Sequence, residues 1–201
     1  MSKEIDEITE IFQRLLDYFY TGTLSFIVLD TLRTQVDLTK RGGDSSFIIA
    51  VYLASYNTLM LALANTVKPN DDSINLHYLF NCIRGSRRSF SSEQYDQLAA
   101  FLLEFESALF EIEGTIEAAV KIRDTTVAHL DRKHVNNPAA LSIDSPVNWD
   151  DLKHAYNIVG NGLLKFGTIF GLSIDLIILA NYRLAQETRG VFEFITQTGK
   201  G

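Results

Sequence analysis

Arg123, Asp124 and His129 fall within the stretch Lys121-Ile122-Arg123-Asp124-Thr125-Thr126-Val127-Ala128-His129-Leu130-Asp131-Arg132-Lys133. Together they supply what phosphodiester chemistry asks of a protein. A guanidinium binds phosphate oxygens and stabilises the charge that develops on them. An imidazole takes or gives a proton near neutral pH, and a neighbouring carboxylate can orient either group. The charges of the stretch, Lys121, Arg123, Arg132 and Lys133 against Asp124 and Asp131, sum to +2. Lys121, Arg132 and Lys133 are therefore candidates for contact with a polyanion. The competing reading is a solvated helix end, with Arg123 paired to Asp124 or Asp131 and His129 a satisfied polar group under a loop.

Arg84, Arg87 and Arg88 form a second basic cluster in the small-residue loop Arg84-Gly85-Ser86-Arg87-Arg88-Ser89, where guanidiniums could bind phosphates. A solvated loop is the alternative. The other histidines are His77, His134 and His154. His129 and His134 are five residues apart, which turns a helix roughly 140° past a full turn, so they would not share a face as metal ligands. No phosphate-binding G-x-x-x-x-G-K-[ST], dinucleotide G-x-G-x-x-G, zinc-binding H-E-x-x-H or nucleophile elbow G-x-S-x-G occurs. Neither a metal nor a cofactor is expected.

Helices must position these groups. Ile5, Ile8, Phe12, Leu15, Leu16 and Phe19 recur at helical spacing and predict a first helix over about 2–20. Gly22 is expected to interrupt it, with a second, shorter helix running from Leu24 toward Leu38 and a turn at Gly42-Gly43. Ser45 to Val67, 23 residues without a charge, predicts a third helix capped by Asp44 or Ser45. Ser73 is expected to cap a short helix bearing Ile74 to Ile83. Ser91 with Gln94 resembles a capping box and opens a long helix that Gly114 bends or breaks before about His129. Between Asp131 and Asn148 the pattern fails, leaving a loop of roughly fifteen residues, longer than most structureless connections. Asn148, followed by Trp149, Asp150 and Asp151, then caps a final helix to about Glu187. Gly160, Gly162, Gly167 and Gly171 within it permit a kink or a close helix contact. The expected fold is all-α, with six or seven helices in one domain over 1–201 and a frayed end from Thr196.

With 46% hydrophobic and 21% charged residues the chain can bury a core. The lone Cys82 excludes a disulfide framework, and a reducing, cytoplasmic setting fits best. A net charge of −7 argues against binding nucleic acid by overall charge, so any polyanion site must be local. The uncharged run 45–67 is long enough to span a bilayer. It carries Ser55, Asn57, Thr58, Asn65 and Thr66 and has basic residues at both ends, so a buried central helix is expected and no membrane contact.

Arg123-Asp124 followed by four residues and His129 resembles the Arg-polar-x4-His motif of the HEPN superfamily of all-α ribonucleases and nucleotide-binding proteins. Ala128-His129-Leu130-Asp131-Arg132 is similar to the abortive-infection, AbiU-like branch. So is the order of apolar helix Phe47 to Leu63, acidic turn and Ser-capped Ser73 to Leu79, and the likeness covers about 44–170. The resemblance implies a HEPN-like bundle and a metal-independent endoribonuclease of a defence or toxin–antitoxin system, in which a ribose 2′-hydroxyl attacks the adjacent phosphate of RNA. Arg123 and His129 would be the catalytic pair, with Asp124 tuning or orienting them. A straight helix sets positions six apart at roughly 120° and 9 Å. The family builds its sites where two such segments face each other in a homodimer, which resolves that geometry. The loop from Arg132 to Asn148 would border the groove and be mobile without ligand. Some members carry His-x-Tyr, whose tyrosine is modified by a partner nucleotidyltransferase acting as antitoxin; Asp131 holds that place here. The alternatives are a non-catalytic HEPN module that binds a nucleotide or RNA end, and a helical interaction protein.

Overall fold

Gly22 is where the spacing predicts a break, and there is none. The computed structural model describes residues 3–35, 45–68, 74–128 and 147–172. Among these the chain is an all-α bundle of six α-helices and one 3₁₀ turn, without strands. The helices are α1 (Lys3–Gln35), α2 (Ser45–Val67), α3 (Leu76–Gly85), α4 (Ser92–Glu111), α5 (Glu113–Ala128) and α6 (Trp149–Phe170), with the 3₁₀ turn at Arg87–Ser89.

α1 is a single helix of 33 residues running straight through Gly22. The two helices expected on either side of that glycine are thus one. A Cβ at Gly22 would lie 2.9 Å from the Ala62 Cβ of α2 and 3.4 Å from the Tyr156 ring of α6, so the missing side chain lets neighbouring helices approach. α2 packs against α1, α3 and α5, which explains how a helix without a charge is accommodated. Its Thr66, fully buried, donates its hydroxyl to the Ala62 carbonyl at 2.8 Å, and burying a hydroxyl without a partner would be costly. No helix among the described residues is long and apolar enough to cross a membrane.

Three caps set the register of the later helices. Asn75, not Ser73, caps α3, its side chain accepting the Tyr78 N–H at 2.9 Å; Ser73 lies outside the described residues. Ser91 accepts the Gln94 N–H at 3.2 Å to open α4, and Asn148 accepts the Asp150 N–H at 3.0 Å to open α6, both as the sequence predicts. The long helix breaks at Ile112, whose φ of −107° and ψ of 12° end α4. Gly114 lies two residues further on, inside α5, with nothing near it.

α6 stops at Phe170, short of the expected Glu187. Gly171 adopts the left-handed φ of 72°; its N–H donates to the Thr168 carbonyl at 3.2 Å, and the Leu172 N–H to Gly167 at 2.8 Å. That Schellman pairing satisfies the last carbonyls and ends the helix. The remainder to Glu187, the turn expected at Gly42-Gly43, all but the last residues of the loop expected between Asp131 and Asn148, and the residues from Thr196 on lie outside the described residues.

One hydrophobic core joins all six helices, with Ile8 and Phe12 of α1, Leu59 of α2, Leu79 of α3, Phe105 of α4, Ile116 of α5 and Phe166 of α6 among its members. Aromatic stacking ties α6 to α1. Phe19, Tyr156, Phe26 and Trp149 stack in a column with centroid spacings of 4.4, 5.0 and 5.1 Å, and the Arg33 guanidinium lies 5.1 Å above the Trp149 ring. Tyr156 donates its hydroxyl to the Phe19 carbonyl at 2.9 Å and is also bonded to Thr23. Gly160 and Gly162 are close-contact glycines, since a Cβ at the first would meet Phe19 and one at the second would run into the Phe105 ring.

The two glycines with opposite surroundings give a test. Gly162→Ala should destabilise the fold by about 2 kcal/mol through overpacking, lowering Tm by roughly 4–8 °C. Gly114→Ala, in an exposed helical turn, should be neutral or raise stability by about 0.5 kcal/mol. Thermal denaturation followed by circular dichroism reads both; equal Tm values for the two variants would contradict the assigned packing.

Candidate functional site

α5 turns Ile116, Ala119 and Ile122 into the core and leaves Glu113, Glu117, Lys121 and Asp124 exposed, the division a half-buried helix must make. Arg123 sits at the edge between these faces. Its side chain is only 16% exposed, while that of Asp124 is 53% exposed. Adjacent helical residues do not face each other, so the Arg123 side chain curls sideways to reach its neighbour. It donates Nε at 2.9 Å and Nη2 at 2.7 Å to the same oxygen, Asp124 Oδ1.

The second carboxylate oxygen has another cation near it. Lys68, just past the end of α2, places Nζ 3.7 Å from Asp124 Oδ2. The hydrogen bond from Arg123 holds the Asp124 carboxyl below its ordinary 3.8; partial burial opposes this, and the charges of Arg123 and Lys68 reinforce it. The cluster of Arg123, Lys68 and Asp124 therefore carries one net positive charge beside the last turns of α2 and α5. Two of the five N–H donors of the guanidinium point to Asp124, which fixes its plane and leaves the rest of the fork for an anion. Lys68 is the residue sequence reasoning missed. Its only signal was its place after an uncharged helix, and nothing local announces a neighbour 56 positions away.

Of the other candidates, Lys121 is exposed on α5. His129, Arg132 and Lys133 lie outside the described residues, as does the loop expected to border the groove. Arg87 and Arg88 are exposed in the 3₁₀ turn, where Arg87 lies 5.2 Å over the Tyr95 ring and the next residue but one, Ser89, is bonded to Glu4 at the start of α1. Arg84 is engaged by Glu106 at 2.5 Å. The basic loop thus belongs with the starts of α1 and α4, whereas Arg123 and Asp124 belong with the end of α2.

α5 packs along α2, where burial pushes the pKa of the Tyr56 hydroxyl upward. Among the described residues no group of three or more His, Cys, Asp or Glu could hold a metal ion.

A family model described as AbiU2, of the HEPN group, matches residues 5–166. No match was found among curated proteins or solved structures.

The depressed carboxyl gives a pH prediction. A carboxylate whose folded pKa is lowered contributes stability above its unfolded value and loses it as the pH falls through the folded one. The Asp124 carboxyl carbon, followed by NMR, should titrate with a midpoint below 3.8, and Arg123→Ala should move that midpoint up. A midpoint unchanged by Arg123→Ala would mean that the pair does not form in solution.

Proposed function

The chain belongs to the AbiU2 family of HEPN proteins, and from that premise we propose that it is a metal-independent endoribonuclease of a defence or toxin–antitoxin system. The observation that carries this reading is the largely buried Arg123 locked by Asp124, inside the matched region and beside a second cation, Lys68. A guanidinium oriented this way binds a non-bridging phosphate oxygen without first paying to order itself.

In this reading the active unit is a homodimer whose two 121–133 segments face one groove. One His129 removes the proton from a ribose 2′-hydroxyl, whose oxygen attacks the adjacent phosphorus. Arg123 neutralises the charge that builds on the phosphate. The partner subunit's His129 protonates the departing 5′-oxygen, leaving a 2′,3′-cyclic phosphate on one fragment and a 5′-hydroxyl on the other. Asp124 keeps the guanidinium in place, and Lys121, Lys68, Arg132 and Lys133 draw the RNA to an otherwise acidic protein; Arg87 and Arg88 offer phosphate contacts further along the strand. The setting is the cytoplasm and the unit one domain; a nucleotidyltransferase-like antitoxin would have to act on a residue other than the tyrosine whose place Asp131 takes.

A second reading, a module that binds a nucleotide or RNA end without turnover, is favoured by one feature. The Arg123–Asp124–Lys68 cluster can hold a phosphate and contains no group that exchanges a proton near neutral pH.

Cleavage of RNA in EDTA separates the two. The wild type should produce fragments ending in cyclic phosphate, and His129→Ala and Arg123→Ala should each reduce the rate by about 10²-fold or more. Identical cleavage by wild type and His129→Ala would overturn the catalytic assignment, and Arg123-dependent binding with no cleavage would establish the second reading.

A further inference from the structure

A groove lies where α4 and α5, on either side of the elbow at Ile112, face the end of α2 and α3. Glu106, Leu109 and Phe110 of α4 and Glu113, Ile116, Glu117 and Val120 of α5 form one wall of a cavity of ≈ 530 Å³; Val67, Lys68, His77 and Phe80 form the other. Its lining is mainly apolar, and Phe110, one of the lining residues, is 74% exposed. An apolar groove with a large open side chain at its edge suits a surface that another molecule covers.

The charges at the rim indicate what that molecule is. Glu113 and Glu117 are exposed and one helical turn apart, and Glu106 also lines the groove, already partnered by Arg84. Against these three carboxylates the described residues lining the groove bring one ammonium, Lys68, which already faces Asp124. A second copy of this chain, itself at −7, would bring like-charged rims together across a two-fold axis, an arrangement that is unfavourable. The wall from Glu113 to Val120 is about 12 Å long, two turns of helix. That length suits the apolar face of a helix laid into a groove, with anchors at i, i+3 or i+4, and i+7.

We propose that this groove docks an amphipathic helix of a partner protein, its apolar face seated on Phe110, Leu109 and Ile116 and its flanking lysines or arginines paired with Glu113 and Glu117. The assignment shares only Lys68 with the ribonuclease reading and is measured without RNA.

The test uses the full chain and two labelled synthetic helices of about 18 residues, five turns, sharing one leucine face. One carries Lys and Arg on its flanks and the other Glu. Fluorescence anisotropy at low salt should show the basic peptide binding at least about tenfold tighter than the acidic one, a difference near 1.4 kcal/mol. Phe110→Ala should weaken the basic peptide about tenfold, and the double variant Glu113→Lys, Glu117→Lys should reverse the preference. All three positions are exposed, so the variants should retain the wild-type Tm, and a Tm check accompanies the titration. Equal affinity for the two peptides, binding of neither, or binding unaffected by Phe110→Ala would overturn the proposal. A wild-type dimer that Phe110→Ala splits in sedimentation would overturn it too, by assigning the face to a second copy.

Discussion

Tyr156 is the residue on which the arrangement of the bundle turns. Its ring lies between Phe19 and Phe26 of α1, and its hydroxyl, carried into the interior, reaches the Phe19 carbonyl and Thr23. Stacked aromatic pairs add roughly 0.5–1.5 kcal/mol each beyond the area they bury, while a buried hydroxyl without partners would cost a comparable amount. Both conditions are met only when α6 lies at one height and one rotation against α1. With that contact in place, Gly160 comes against Phe19 and Gly162 against Phe105, and α4 is drawn in as the next layer. Trp149 completes the column at the start of α6, and Val147 just before it packs against the core.

The candidate site is a by-product of where the long helical rod breaks. A straight helix from Ser92 to Ala128 would be about 55 Å long and could lie against only one neighbour. By ending α4 at Ile112 the chain sends one arm along α6 and the other along α2. The second arm delivers Arg123 and Asp124 to the end of α2, where Lys68 waits. Arg123 is fixed by a carboxylate on its own helix, so its orientation needs no contribution from elsewhere in the chain.

How much of this could be read from the sequence depends on how local the cause is. Ser91 and Asn148 were legible because a cap is satisfied within three residues of itself. The Arg123–Asp124 pair was legible for the same reason, being adjacent. Gly22 was misread because a glycine that breaks a helix and one that admits a neighbouring helix look identical until the neighbour, here Ala62, is known. The break at Ile112 was displaced to Gly114, the nearest residue with low helix propensity, although packing on two different partners decides where the rod bends. The end of α6 was overrun because apolar residues continue past Gly171 and mask the glycine that stops the helix. Lys68 was invisible as a site residue, since its partner arrives only with the fold.

The glycine contacts have a mechanical consequence. Where a neighbour's side chain sits directly on a helix backbone, as Ala62 does at Gly22, Phe19 at Gly160 and Phe105 at Gly162, helices are keyed together like cogs and cannot slide without climbing over a neighbour's atoms. α1, α2, α4 and α6 are joined by these keys into a frame with few degrees of freedom. α5 has no key of this kind, for its one glycine, Gly114, touches nothing. α5 is seated instead by the packing of Ile116, Ala119 and Ile122 in the core and along α2, so the helix that carries Arg123 keeps its place by apolar contact and not by a glycine key.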